Sequence, residues 1–512
     1  MPSLPHGSPA PVPRPGRPRR TARTVRASRT AAVLAAGALL AAASGCGSLK
    51  PPDPAPTAAT RVAQENVPGI GARPAGADAA GRGFTVRASV PDIPNAAPLA
   101  DHLAGVVAQE AADFRAAVDS ATRLEVDWEL TAAGRGLVGV RLVRTEHDHR
   151  GVHDSYATYW YDTATGATAY STELLAGDAE LRRLDRLVAA ALEKGGGDPA
   201  ALHPGFRLYD SLAFNHDGDL VVEFDAGRVA PLERGRVAAV VAAEDARPLL
   251  SDLGRRARAA SALTPHAFSI AEPPAGDPRE RRERPVPGSR PPAEDHDCGG
   301  AVTCVALTFD DGPDKRTPEV LDLLAAYDAK ATFFVPGHSV RNEPALVGRA
   351  FAEGHQLGNH GDTHETFAGG GRDRIDAELS AVDALIRRET GTTVDIMRPP
   401  FGRTDPAVAE VAREHGQAQV IWDTDTEDWT GLSAEEVLAN TVARTPPNGV
   451  VLLHDTEDAT VDALPRILEH FTAQGYALVT IADLLEETEP GAVYYSADPA
   501  LNAVCIRLAG CP

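Results

Sequence analysis

The chain has 512 residues, 43% of them hydrophobic, and a formal net charge of −22. That length exceeds one ordinary domain, and the apolar content suffices for two or three packed cores. The acidic balance argues against sequence-independent nucleic-acid binding, which needs a basic surface.

The first 46 residues depart from that balance. Arg14, Arg17, Arg19, Arg20, Arg23, Arg26 and Arg29 precede an apolar run from Ala31 to Ala43, followed by Ser44-Gly45-Cys46. A positive segment, a short apolar core and small residues describe an export signal. The run is shorter than the roughly 20 residues a membrane span needs. The small residues before Cys46 resemble a bacterial lipoprotein signal, which implies lipidation of that Cys. A secretory signal without lipid, or an uncleaved anchor, is the alternative. The expected location is extracytoplasmic, with the membrane touched only through an N-terminal lipid anchor. Residues 47–82, rich in Pro, Ala and Gly, read as a flexible tether.

Residues 83–270 read as a separate α+β domain. A strand is expected over 84–90 and a helix over 97–122. Alternating runs over 123–130, 136–145, 155–162 and 167–172 have the period of antiparallel strands. A helix over 178–194 and strands over 208–215 and 220–224 follow. This domain holds no cluster of His, Cys and Asp. The runs Phe206–Phe214 (FRLYDSLAF), Leu220–Phe224 (LVVEF) and Arg228-Val229-Ala230-Pro231 resemble the extracellular domain of lysozyme-sensing anti-sigma factors. That resemblance implies an accessory module binding lysozyme or the wall; a spacer without a ligand is the alternative. Residues 271–297, crowded with Pro, Arg and Glu, read as a linker.

From residue 298 the rhythm changes. Strand-like runs over 305–311, 331–335, 356–359, 395–398, 419–423, 450–454 and 477–481 alternate with amphipathic helical stretches. Strands joined by helices predict an α/β class with a parallel sheet, open or closed into a barrel. Chemistry in such folds sits at the C-terminal strand ends. The domain is expected over 298–490, with a tail over 491–512. Beside Cys46, four cysteines remain: Cys298, Cys304, Cys505 and Cys511. An even number in an exported chain suggests disulfides, of which sequence neighbours are the simplest pairing.

The polar residues of interest fall at those strand ends. Thr308-Phe309-Asp310-Asp311-Gly312-Pro313 sets two carboxylates at a turn, where both can reach one site. They repel unless a cation takes one of them, so one Asp binds metal and the other is free as a base. His360 and His364, spaced i, i+4, can share the ion with that carboxylate and leave room for water and substrate. Arg398-Pro399-Pro400-Phe401-Gly402 offers a guanidinium to orient a carboxylate and the Phe401 N–H to a developing oxyanion. His454, at a later strand end, is a general-acid candidate, with Asp425 to raise its pKa and orient its ring. Trp429 and Leu452 are candidates to wall an apolar pocket. His355 reads as structural, and His338 and His415 as surface residues.

TFDDGP, His-x3-His after Gly-Asn, RPPFG, Asp-x-x-Asp-Trp and Leu-x-His, in this order, resemble the polysaccharide deacetylases of carbohydrate esterase family four, the nodulation-deacetylase homology domain. The likeness covers about residues 302–485. It implies a distorted (β/α) barrel of about seven strands. It also implies Asp310 as base, Asp311, His360 and His364 as metal ligands and His454 as acid, with Arg398 tethering the base and Asp425 tuning His454. The expected metal is Zn²⁺, with Co²⁺ or a similar ion as the alternative. One residue departs from the pattern: Gly361 stands where Ser or Thr is usual. With export, the resemblance implies removal of N-acetyl groups from peptidoglycan, N-acetylglucosamine before N-acetylmuramic acid. Chitooligosaccharides, acetylated xylan, and a wall- or lysozyme-binding sensor with weak catalysis are the alternatives.

Overall fold

The computed structural model describes residues 58–502, apart from 77–80, 82, 264–265, 273–285, 289–295, 299, 301, 486 and 501. Cys46, Cys505 and Cys511 lie outside the described residues, as does most of 271–297. Among the described residues, no helix is long and apolar enough to cross a membrane.

The N-terminal domain is built on a six-stranded sheet whose neighbours follow chain order. Its strands are β1 (Gly71–Ala75), β2 (Thr85–Asp92), β3 (Arg123–Gly134), β4 (Leu137–Asp148), β5 (Gly151–Asp162) and β6 (Thr168–Tyr170). Only β2 and β3 pair in parallel, because helix α1 (Ala97–Ala117) crosses between them. Helix α2 (Asp178–Gly195) leads to a three-stranded antiparallel sheet of β7 (Leu212–Phe214), β8 (Leu220–Phe224) and β9 (Val237–Val241). Helices α3 (Ala243–Ala246) and α4 (Asp252–Ser261) close the domain.

The tether reading fails for its C-terminal part. Ala59, Val62 and Val67 are buried, Val62 bridges Leu130, and β1 pairs with β2. A few apolar residues spread among Gly and Pro leave no periodic signal, yet the sheet edge gives their backbone hydrogen-bond partners.

The C-terminal domain is a nine-stranded parallel sheet ordered β15-β16-β10-β11-β12-β13-β14-β18, with β17 also on β10. Its strands are β10 (Cys304–Asp310), β11 (Thr332–Val335), β12 (Gln356–Asn359), β13 (Ile396–Met397), β14 (Ala418–Val420), β15 (Thr424–Asp425), β16 (Val450–His454), β17 (Ala477–Leu478) and β18 (Val493–Tyr494). The connecting helices are α5 (Thr317–Ala326), α6 (Gly337–Asn342), α7 (Pro344–Ala352), α8 (Arg372–Thr390), α9 (Pro406–Glu414), α10 (Ala434–Arg444), α11 (Asp458–Ala473) and α12 (Ile481–Leu485). Among the described residues β15 and β18 do not pair, so the barrel is open. The segment expected as a tail supplies β18, which pairs with β14, and Tyr495 is buried behind it.

Every residue of β10 is buried, as a strand covered on both faces requires. Register then does the positioning. Asp310 is the direct partner of His454 across β10 and β16, and Asn359, just before His360, is the partner of Met397, just before Arg398. Four of the predicted polar residues thus emerge at one rim. A disulfide joins Cys298 to Cys304 at the opposite end of β10.

Leu453, fully buried on β16 beside that rim, tests the packing. Leu453→Ala should cost about 2–5 kcal/mol, read as a lower urea midpoint at unchanged slope.

Candidate active site

Two neighbours on a strand point to opposite faces, yet Asp310 and Asp311 share one site. Asp311 stands in the left-handed region, φ 73°, which turns its carboxylate back towards the rim. Ser339 Oγ, on α6, donates to the Asp311 carbonyl at 2.7 Å and holds that turn.

His360 is buried, and its Nδ1 lies 2.7 Å from the Arg398 carbonyl. A carbonyl only accepts, so Nδ1 carries the proton and Nε2 faces the site as a free base. Burial pushes its pKa down to about 3, against the raising effect of Asp311. His364, at φ 59°, turns its ring back onto His360, centroids 5.0 Å apart. Its Nε2 is 3.2 Å from Asp311 Oδ1, and His360 Nε2 is 3.6 Å from the same oxygen. Potential ligand atoms of Asp311, His360 and His364 lie within 4.8 Å of one another. Asp311 Oδ1 is buried without a hydrogen-bond partner among the described residues. An orphaned carboxylate oxygen facing two imidazole nitrogens fits a divalent cation of borderline softness; it fits no neutral occupant as well.

Asp310 is buried beside this trio. Arg398, itself fully buried, donates from Nη1 to Asp310 Oδ1 at 2.7 Å and to Thr308 Oγ1 at 2.9 Å. Its Nε and Nη2 donate to the carbonyls of Val420 and Ile421 at 2.9 and 2.7 Å. Burial raises the Asp310 pKa, and the Arg398 charge works against that rise. The other carboxylate oxygen, Oδ2, is 3.6 Å from His360 Nε2 and so points into the site.

His454 faces them from β16, its Nε2 4.0 Å from Asp311 Oδ2. Its partner is Asp428, not Asp425. Asp428, fully buried, accepts from His454 Nδ1 at 2.8 Å, from His454 N at 2.7 Å and from Thr460 Oγ1 at 2.5 Å. Asp425 instead accepts from the Glu427 N–H. The cause is backbone: Glu427 at φ 60° reverses the chain and delivers the later carboxylate to the rim. Both residues were visible in Asp-x-x-Asp-Trp, and only the turn chooses between them. Burial opposes protonation of His454, but the hydrogen bond and charge of Asp428, with Asp310 and Asp311, outweigh it and push its pKa up to about 9.

Phe401 and Trp429 are 60% and 59% exposed, unusual for large rings, whereas Leu452 is buried. Phe401, at φ 61°, sets its ring 4.9 Å from that of His364. The bare position 361 has a steric reason. Gly361 lies at φ 75°, and a Cβ there would sit 2.7 Å from the Phe367 ring. A group the sequence did not suggest braces the loop: Glu378 of α8 accepts from Asp362 N, Thr363 N and Thr363 Oγ1 at 2.7, 2.8 and 2.6 Å. His355 is buried, its Nδ1 accepting from Ala331 N. His338 is exposed, but His415 is half-buried between Asp383 and Asp376.

The sequence profile of one family, polysaccharide deacetylase, matches residues 300–420. The chain is 36% identical over 187 residues to a peptidoglycan-N-acetylglucosamine deacetylase of Bacillus cereus, covering 35% of this chain and 87% of that one. It is 37% identical over 193 residues to the peptidoglycan-N-acetylglucosamine deacetylase PgdA of Listeria monocytogenes, where it spans only 41% of the relative's length and 37% of its own. A chitooligosaccharide deacetylase of Sinorhizobium fredii is 32% identical over 195 residues, 35% of this chain and 91% of that one. Identity at this level over most of the Bacillus cereus relative, with the family profile spanning the segment that holds the Asp311, His360 and His364 trio, has a plain consequence: the chain belongs to the polysaccharide deacetylase family.

Proposed function

We propose that the chain is a metal-dependent deacetylase that hydrolyses the acetamide of N-acetylglucosamine units in peptidoglycan. The observation that carries this reading is the orphaned Asp311 oxygen facing two imidazole nitrogens, flanked by the buried Asp310 carboxylate and by His454, held through Nδ1 by Asp428. Asp311, His360 and His364 hold the ion, for which Zn²⁺ is the first choice given the one-oxygen, two-nitrogen donor set. When bound, such a cation polarises a carbonyl and eases deprotonation of water.

The remaining work falls to side chains. Asp310 takes the proton of the attacking water, its carboxylate aimed by Arg398. The Phe401 N–H donates to the oxygen that gains charge as the carbonyl carbon becomes tetrahedral. His454, kept protonated by Asp428, gives its proton to the departing nitrogen as the C–N bond breaks. Acetate and a free amine leave. The exposed rings of Phe401 and Trp429 offer apolar faces at the rim for a sugar and its acetyl methyl. Extracytoplasmic action follows from such a substrate, with the lipidated Cys46 as the tether. The N-terminal domain is the candidate wall- or lysozyme-binding module.

Acetate release by the full chain from purified wall, chitin oligomers and acetylated xylan tests the substrate. Wall should be the best of the three, and chelator should stop the reaction. Asp310→Asn should abolish turnover while metal still binds, and His454→Ser should slow it by about 10² to 10⁴; an Asp310→Asn protein with near wild-type turnover would remove the base from the scheme.

The Asp428 pairing has its own readout. In the metal-free protein, the His454 ring followed by NMR should titrate near about 9. Asp428→Asn should bring it down towards the ordinary 6.5, and Asp425→Asn should leave it in place. Since the folded value lies above the unfolded one, protonated His454 stabilises the fold fully below about 6.5, and that share is lost as pH rises through about 9. Asp428→Asn should flatten the slope of stability against pH in that window.

A further inference from the structure

Helix α6 touches both halves of the metal trio without supplying a ligand. Ser339 holds the Asp311 carbonyl, while Gly337 N and His338 N donate to the carbonyls of Gly361 and Asp362 at 3.0 and 3.3 Å. Arg341, on the same helix, donates from Nη1 to Asp362 Oδ1 at 2.6 Å. Asp362 lies between His360 and His364, and the fit is close: a Cβ on Gly337 would sit 2.0 Å from Asp362 Oδ1.

Arg341 has a second partner, in the other domain. Its Nε donates to the carbonyl of Ala117 at 2.9 Å. Ala117 ends α1, is fully buried and packs in the same apolar cluster as Val335 and Val340 of the barrel. Helix C-terminal carbonyls lack partners within their own helix, so a guanidinium there satisfies a real demand. Other ion pairs fix the N-terminal domain against α8: Asp113 of α1 with Arg387, Glu146 of β4 with Arg388, and Arg228, after β8, with Glu389. One side chain thus joins the end of an N-terminal helix to the loop carrying two imidazoles.

We propose that Arg341 is a positioning residue through which the docked N-terminal domain holds the His360–His364 loop in its metal-binding shape, so that metal affinity is set partly from outside the C-terminal domain. The proposal rests on the metal reading above. Since Gly361 has no side chain to brace the loop, that bracing falls on Asp362 and Thr363, held by Arg341 and Glu378.

The test is metal affinity of the full chain, measured by Co²⁺ absorbance and by Zn²⁺ competition with a chelating dye. Arg341→Met and Asp362→Asn should each weaken binding about 10- to 100-fold, the usual range when a group that orients a ligand is removed. The double variant should be no weaker than the worse single one, since both break one link. Arg341→Lys, which cannot span both partners as a guanidinium does, should fall between and guards against a Met variant that fails to fold. Glu389→Gln, which loosens the domain contact away from Arg341, should lower the melting temperature and leave metal affinity within twofold. Arg341→Met and Arg341→Lys both binding within twofold of wild type, or Glu389→Gln weakening binding as much as they do, would overturn the proposal. A wild-type chain that binds neither ion would instead sink the metal reading beneath it.

Discussion

Residue 398 serves both kinds of chemistry in this site at once. Its guanidinium, wholly buried, spends its donors on Asp310, Thr308 and two carbonyls at the end of β14, while its own carbonyl fixes the Nδ1 proton of His360. The carboxylate that would move a proton and the imidazole that would bind metal are therefore aimed by one residue. Burying a guanidinium costs several kcal/mol and is offset only when nearly every donor is met. Removing either partner would leave an uncompensated charge in the core, so the pair and the strand ends around it hold each other in place.

The rim is assembled by backbone reversals more than by regular structure. Asp311, His364, Phe401 and Glu427 are all non-glycine residues at φ between 59° and 73°. Each costs about 1–2 kcal/mol relative to ordinary backbone. Together they break the alternation of the strands and turn side chains that would point apart towards one point. Such conformations persist only where the surroundings over-determine them. Here they are over-determined by Ser339 at the Asp311 carbonyl, Glu378 at Thr363, and the triple acceptance of Asp428.

This also explains how much was legible in the sequence. β16 falls where its apolar run places it, over Val450–His454, because four consecutive apolar positions between turn residues admit few other readings. β15 and β18 have two residues each, too few for any periodicity, and exist only because the neighbouring strand offers partners. Asp310, Asp311, His360, His364, Arg398 and His454 were readable because each ends or follows a strand of recognisable type. The choice of Asp428 over Asp425 was not, since it depends on the conformation of Glu427 alone. Arg341 had no local signal either: its partners stand 21 and 224 residues away.

The contact between domains combines an apolar seam at the end of α1 with buried ion pairs. Arg387, Arg388 and Glu389 of α8 meet Asp113, Glu146 and Arg228 across it, and behind that seam, within the N-terminal domain, Arg144 and Arg207 meet Glu110 and Asp210 with little exposure. Burial would raise the pKa of Glu110, yet the charges of Arg207, Arg144 and Arg388 overcome it and hold it at about 2. Networks of this kind add little net stability, because desolvation consumes most of the attraction. What they do impose is geometry, since a shifted docking leaves buried charges unpaired at several kcal/mol each. A slide at this interface would part its ion pairs as well as its packed side chains. That intolerance is what allows the end of α1 to present one carbonyl to one guanidinium, and through it to reach the loop between the two imidazoles.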